Sequence, residues 1–295
     1  MILALLQPEA DWLRGISAAL RFAYYASCLG AAGLSIFALG FAQLQDPQDA
    51  IACRRITLAT VAVGLASSLA WLTAQVALAS AGDPFDAEVW DLMLTSRPGL
   101  SVLVVWVGLP AVALAAWIGP RAIAVGAAGV LAIAASFTTI GHTSQHQQRW
   151  LLAAVLILHL LAVAFWVGSL WPLALASRRG GPSAVRLLKA WTRTAGWAVS
   201  ALLLAGVVQA WILVGRLEVL VTTAYGLALL TKVALVGILL GFAAWHRFRL
   251  TPALVANAPG SGARLAASIG CEIIVMVLVF WAAAEMTSAS PGGEG

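Results

Sequence analysis

The chain has 295 residues, of which 62% are hydrophobic and only 10% are charged, and its mean hydropathy is +0.94. This composition excludes a soluble globular domain and indicates a protein with several membrane spans. The formal net charge of +5 comes mainly from arginines in the predicted loops, so it does not indicate binding to nucleic acid. The sequence contains neither a phosphate-binding glycine loop nor a nucleophile with a positioned base, and we therefore expect no enzymatic activity.

Eight apolar segments are long enough to cross a bilayer, because a spanning helix needs about 20 apolar residues. In chain order they cover residues 17–41, 56–80, 99–118, 122–141, 151–176, 195–215, 227–246 and 265–286. Short loops join these segments and leave no soluble domain. The sequence thus predicts a single all-α membrane domain over residues 1–295, with a disordered tail at 287–295 that is rich in serine, glycine and proline.

The loops between these segments alternate in charge. Because cytoplasmic loops are enriched in lysine and arginine, the basic set is predicted to be cytoplasmic, which places both termini outside. The opposite set contains the amphipathic segment 83–97, which is predicted to lie on the outer surface. The basic residues that determine this orientation are Arg54, Arg55, Arg121, Arg178, Arg179, Arg186, Lys189, Arg193, Arg247, Arg249 and Arg264.

The two halves of the chain show a weak internal similarity. An alignment of Arg21 with His159 also places Gly30 against Gly168. In addition, the stretch TSRPGL at 95–100 resembles TAYGL at 223–227, and both open a predicted helix from the outer side. The pattern predicts two parallel four-helix halves, 17–141 and 151–286, a plan that occurs among transporters.

Three of the four histidines lie where the fourth span ends and the fifth begins. If the fourth span continues as a helix, His142 and His146 face the same side and can share a metal ion. His159 lies about 13 Å further along the fifth helix than Trp150, so it is predicted to be buried below the outer surface. The three side chains could relay a cation inward. Alternatively, His142 and His146 are solvated loop residues and His159 bonds a carbonyl of a neighbouring span.

Glu272 and Lys232 are charged residues inside predicted spans. An unpaired charge in the bilayer is costly, so each should face the bundle interior and have a partner, and the two could pair with each other. Their role is either a structural ion pair or a cation or proton pathway. Cys271 adjoins Glu272, and its sulfur would suit Cu(I), although a free cysteine in a membrane interior also serves packing. His246 is predicted to be an interfacial residue beside the cytoplasmic arginines.

These segments resemble the bacterial copper resistance protein D family of inner-membrane proteins. The resemblance rests on GH at 141–142, HLLAVAFWVG at 159–168, TAYGLALLTKVALVGILL at 223–240 and SIGCEIIVMVLVFWAAA at 268–284. It implies an eight-span bundle that binds or moves copper, with His142 and His159 as ligand candidates. Lys232 matches the family's lysine after the TxYG element, and Glu272 matches its last-span glutamate. His146 lies outside the family pattern and depends on the spacing argument alone.

The sequence and the resemblance together predict a copper permease of the bacterial inner membrane that has no energy source of its own. Copper, as Cu(I) or Cu(II), would bind at His142 and His146, descend to His159 and leave near Glu272. A separate periplasmic copper carrier is the implied protein partner. Two alternatives stay open, namely a b-type cytochrome with His159 as an axial haem ligand and a sensor or assembly factor that binds copper without transporting it.

Overall fold

The computed structural model describes residues 7–141, 146–214 and 218–286. Within these ranges the chain forms eleven α-helices and no strand. The helices are α1 Gln7–Phe41, α2 Pro47–Ala79, α3 Ala87–Thr95, α4 Arg97–Ile118, α5 Ile123–Ser136, α6 Arg149–Arg179, α7 Gly181–Val214, α8 Val219–Thr222, α9 Ala224–Trp245, α10 Thr251–Val255 and α11 Ser261–Met286. Eight helical segments in the described part of the chain are long and apolar enough to cross a membrane. The prediction of an all-α polytopic membrane protein is therefore confirmed.

Helix α7 begins fourteen residues before the start of the predicted span 195–215. The early part of this helix is amphipathic, because Ala184, Leu187 and Leu188 are buried at helical spacing while Arg186 and Lys189 are exposed. The basic residues lower the local hydropathy, so the apolar run begins later in the sequence than the helix does. The helix thus extends beyond its apolar run into a basic segment.

The two similar sequence stretches begin α4 and α9 in the same way. Ser96 caps α4 by accepting a hydrogen bond from the backbone N–H of Gly99. Thr223 caps α9 by accepting one from the backbone N–H of Gly226 at 3.0 Å. Each hydroxyl satisfies a backbone donor that has no partner within its helix. The internal repeat itself stays a prediction.

The segment 83–97 contains the short helix α3, which Asp86 caps. Trp90 and Met93 on one face pack against the core, whereas Asp91 and Leu92 are exposed. The predicted amphipathic character is therefore present. Its position on the outer membrane surface stays a prediction.

Helices α1 and α6 form the centre of the bundle and cross at two glycines. A Cβ atom added to Gly168 would overlap the backbone of Gly33 and Leu34, and one added to Gly33 would overlap the backbone of Ala164. Only glycine allows the two backbones to approach this closely. Around this crossing, α1 also contacts α2, α4, α5 and α11, and α6 also contacts α2, α5, α7 and α11.

The two ends of the bundle are named here after residues at the ends of α6. The His146 end is where α6 begins, and the Arg179 end is where α6 finishes. At the Arg179 end, Asp49 of α2 is buried and holds Arg179 through two hydrogen bonds, from Nη2 at 2.6 Å and from Nε at 3.2 Å. This pair ties the start of α2 to the end of α6.

Most helix contacts correspond between the two halves of the bundle, with two exceptions. The first is that the contact of α1 with α4 has no counterpart of similar extent between α6 and α9 in the described residues. The pairs α1–α2, α4–α5 and α1–α5 have counterparts in α6–α7, α9–α11 and α6–α11. Helix α2 also packs along α4, where Trp106 donates a hydrogen bond to Ser68 at 3.0 Å. Within the described residues, the corresponding helices α7 and α9 do not pack along each other. The second half is therefore open where the first half is closed.

Candidate functional site

A cavity of about 260 Å³ lies in the second half of the bundle, among α6, α7, α9 and α11. Most of its wall is aromatic or aliphatic, and the charged or titratable side chains along it are His246, Arg247 and Glu272. The cavity is partly open, because α7 and α9 stand apart. Ionisable groups are costly inside a membrane protein and usually functional there. This cavity is therefore the candidate site.

Glu272 lies at the centre of a four-residue group that we call the Glu272 cluster, made of Trp166, His246, Ser268 and Glu272. The carboxylate is 2% exposed, and its Oε1 accepts a hydrogen bond from the indole Nε1 of Trp166 at 2.5 Å. Its Oε2 lies 3.4 Å from Nδ1 of His246. The other imidazole nitrogen, Nε2, is hydrogen-bonded to the Ser268 hydroxyl at 2.9 Å. Every polar group of the cluster thus has a partner within it.

Three helical segments position this cluster. Ser268 and Glu272 are four residues apart on α11 and therefore share one face. Trp166 comes from the middle of α6. His246 directly follows α9 and begins a π-helical turn, His246–Leu250. Such turns are rare and often occur at functional sites.

The structure adds a contact to His246 that the sequence did not predict. The side chain is 8% exposed and faces Glu272, while its position at the membrane interface stays a prediction. The sequence did hold one signal, because the Ser268–Glu272 pair marks a polar face of α11 that needs a partner. Nothing in the sequence shows that α9 supplies it.

The expected pairing of Lys232 with Glu272 does not occur among the described residues. Lys232 lies fourteen residues before His246, which is about 21 Å along the helix and too far for the lysine side chain to reach Glu272. Lys232 is instead within electrostatic range of His159. When protonated, Lys232 therefore opposes a cation at His159.

His159 lies on α6 and faces α7. A Cβ added to Gly206 would lie 3.8 Å from Cε1 of the imidazole, and the ring also lies beside the carbonyl of Leu202. Nδ1 is buried and makes no hydrogen bond of good geometry within the described residues. A buried nitrogen without a good partner is costly and leaves the imidazole able to bind a cation.

Of the other two histidines of the sequence cluster, the structure describes only His146. His142 lies outside the described residues. His146 accepts a hydrogen bond on Nδ1 from the backbone N–H of Gln148 at 3.1 Å. The preceding helix ends before this loop, because Ile140 is extended and Gly141 has a φ of +75°. The fourth span therefore does not continue as a helix through Gly141, which was the condition for the predicted shared face of His142 and His146.

His146 and His159 are too far apart to bind the same ion. Helix α6 begins at Arg149, and His159 follows ten residues later, about 15 Å along the axis. In the described ranges, no three His, Cys, Asp or Glu side chains lie close enough to hold a metal together. Metal binding by these histidines stays a prediction.

One face of α6 connects His159 to the cavity. His159 and Trp166 are seven residues apart, so they lie on nearly the same side of the helix and about 10 Å apart. Trp166 holds Glu272. Cys271, in contrast, is exposed and does not line the cavity, because consecutive helical residues point in directions about 100° apart. The two most buried of the described histidines do not face each other, since His159 faces α7 and His246 faces α11.

Comparisons with known proteins match both halves of the chain. The family model "Copper resistance protein D-like, N-terminal domain" matches residues 10–148, and the model "Copper resistance protein D" matches residues 185–286. The chain is similar to "Copper resistance protein D" of Pseudomonas syringae pv. tomato, with 27% identity over 303 residues, which covers 90% of this chain and 95% of the relative. No solved structure matches. The second model includes Lys232, His246 and Glu272, whereas His159 and Trp166 lie between the two matched ranges.

Proposed function

Because the chain belongs to the copper resistance protein D family, we propose that it moves copper across the membrane through the second half of its helix bundle. The observation that carries the proposal is the buried carboxylate of Glu272 in a cavity among α6, α7, α9 and α11. A carboxylate in this position attracts a cation into a region that otherwise excludes one.

The route begins at the His146 end and follows α6. Copper is captured at the loop of His142 and His146 and passes to the imidazole of His159. From there the cavity at Glu272 lies about 10 Å further along the same helix face. The exit is at the Arg179 end, where Arg247 lines the cavity. Imidazole suits Cu(II), and two imidazoles also suit Cu(I), so the histidines of the route accept either ion.

The orientation follows from the basic loops. The Arg179 end carries most of the loop arginines, so it faces the cytoplasm of a bacterial inner membrane and the His146 end faces the periplasm. Copper then enters from the periplasm, where a soluble copper carrier delivers it to the loop of His142 and His146. The first half of the bundle serves as a support, because its equivalent opening is closed by the contact of α2 with α4.

The test is copper entry into lipid vesicles that contain the purified protein. We expect His159→Ala and Glu272→Gln each to reduce copper entry at least tenfold, with wild-type yield and thermal stability as the folding check. Cys28→Ser is the matched control, because Cys28 is a buried thiol in the first half, away from the route. Wild-type rates in both His159→Ala and Glu272→Gln would overturn the proposal. Copper binding without entry in the wild type would indicate a sensor instead.

A further inference from the structure

The Glu272 cluster also has the arrangement of a proton-binding site. The indole N–H of Trp166 can only donate, so it occupies one lone pair of Glu272 Oε1. The contact between Glu272 Oε2 and His246 Nδ1 needs one hydrogen, which either group can carry. The Ser268 hydroxyl can donate to or accept from Nε2, so it accommodates both arrangements. The geometry thus admits a proton on either side of the pair.

The same geometry is a poor permanent metal site. Both carboxylate oxygens and both imidazole nitrogens already have partners within the cluster. A metal ion there would have two protein ligands at most and would have to break these contacts. A proton adds to the pair without displacing any of them.

The electrostatics link the proton to a passing cation. With its proton, the pair is neutral overall, either as glutamic acid and imidazole or as glutamate and imidazolium. Without the proton it has one net negative charge, which burial disfavours. A cation in the cavity stabilises that negative charge and repels the proton, so the two compete.

The groups that face the pair are few. Helix α6 presents Trp166 and helix α7 presents Thr192, neither of which titrates in the physiological range. The turn after α9 presents Arg247, a fixed positive charge on the cavity wall. On α11, Arg264 lies two turns from Glu272 toward the Arg179 end, is exposed and bonds the carbonyl of Pro259. The described cavity wall thus holds one titratable pair and one permanent charge.

We infer that the Glu272–His246 pair binds one proton. Copper that passes through the cavity displaces this proton from the pair. The inference deepens the proposed function and rests on it for the identity of the cation. In the step, one proton leaves the pair to water as a hydronium ion and no electrons move. The neutral imidazole keeps its remaining hydrogen on Nδ1, facing Oε2, while Nε2 accepts from the Ser268 hydroxyl. Copper entry is therefore linked to proton release at the Arg179 end.

Infrared difference spectroscopy of the purified protein tests this inference without requiring transport. We expect a protonated-carboxyl band that is lost when copper is added. The band should be absent in Glu272→Gln, displaced in His246→Gln and retained in Asp49→Asn, where the substituted residue is the other buried acid of the described chain. Glu272→Gln keeps an acceptor for Trp166, which favours folding, and His246→Gln is an independent second variant.

The outcomes separate the two proposals. Loss of the band on copper addition, in a protein that does not carry copper into vesicles, would support this inference and overturn the proposed route. Copper entry at the wild-type rate with a band that copper leaves unchanged would overturn this inference alone. The absence of both a carboxyl band that depends on Glu272 and an imidazolium band that depends on His246 would also overturn it.

Discussion

The indole N–H of Trp166 on α6 donates a hydrogen bond to Oε1 of Glu272 on α11 at 2.5 Å, across 106 residues of sequence. Both side chains are buried. The bond orients the carboxylate so that its second oxygen faces His246. The helix that holds His159 therefore also positions the acid in the cavity, and four predictions follow from these and the neighbouring contacts.

Trp166→Phe should weaken both folding and transport. The change leaves Glu272 Oε1 without a donor, and a buried hydrogen bond to a charged group contributes about 1.5–3 kcal/mol to the free energy of unfolding. We expect a lower Tm of the solubilised protein and reduced copper entry into vesicles. Trp106→Phe is the control, because it removes a comparable indole bond, to Ser68, from the first half. It should lower the Tm but leave copper entry intact, and equal transport losses in the two variants would contradict the route.

Lys232→Gln should increase the affinity of the protein for copper. Lys232 lies within electrostatic range of the imidazole of His159, and its ammonium form opposes a cation there. Its removal should tighten copper binding on the order of tenfold, as expected for about 1.4 kcal/mol of charge repulsion. Competition with a chelator of known affinity measures the change. Lys189→Gln, at an exposed position of α7, controls for the loss of a lysine. Weaker binding in Lys232→Gln would place copper elsewhere.

Gly168→Ala should disrupt the bundle centre. The added methyl group would overlap the backbone of Gly33, so α1 and α6 must move apart at a cost of about 1–3 kcal/mol or more. A loss of Tm or of folded yield checks this expectation. Gly30→Ala is the matched control on α1, since its added Cβ would lie 3.8 Å from the nearest side chain, an ordinary contact. Similar stability of both variants would show that the helices do not cross at these glycines.

Arg179→Gln should destabilise the Arg179 end. Asp49 is 7% exposed, so without the guanidinium its charge is left nearly buried and unpaired. Because Arg179 itself is 38% exposed, solvent screening limits the expected loss of unfolding free energy. The double variant Asp49→Asn with Arg179→Gln should recover part of this loss. A double-mutant cycle on unfolding free energies measures the coupling, and a coupling near zero would contradict the described pair.

Much of the fold was predictable from the sequence because a bilayer restricts the solutions. A helix that crosses hydrocarbon must satisfy its backbone internally and needs about 20 apolar residues, so hydropathy alone located all eight spans. The charge of Glu272 likewise marked it as a functional candidate, since such a residue must face the interior. The first turns of α7 were not predicted, because they are helical but basic, and hydropathy marks only apolar segments.

The partners of Glu272 were decided by tertiary structure. The sequence offered Lys232, the other intramembrane charge, but the rise of α9 places that residue about 21 Å from His246, which contacts Glu272 instead. Similarly, the histidine spacing predicted a metal site shared by His142 and His146 if the fourth span continued as a helix, whereas that helix ends before Gly141. Hydropathy determines which segments span the membrane. The faces that meet depend on how α6, α9 and α11 pack, because side-chain pairing across helices has no periodic signature in the chain.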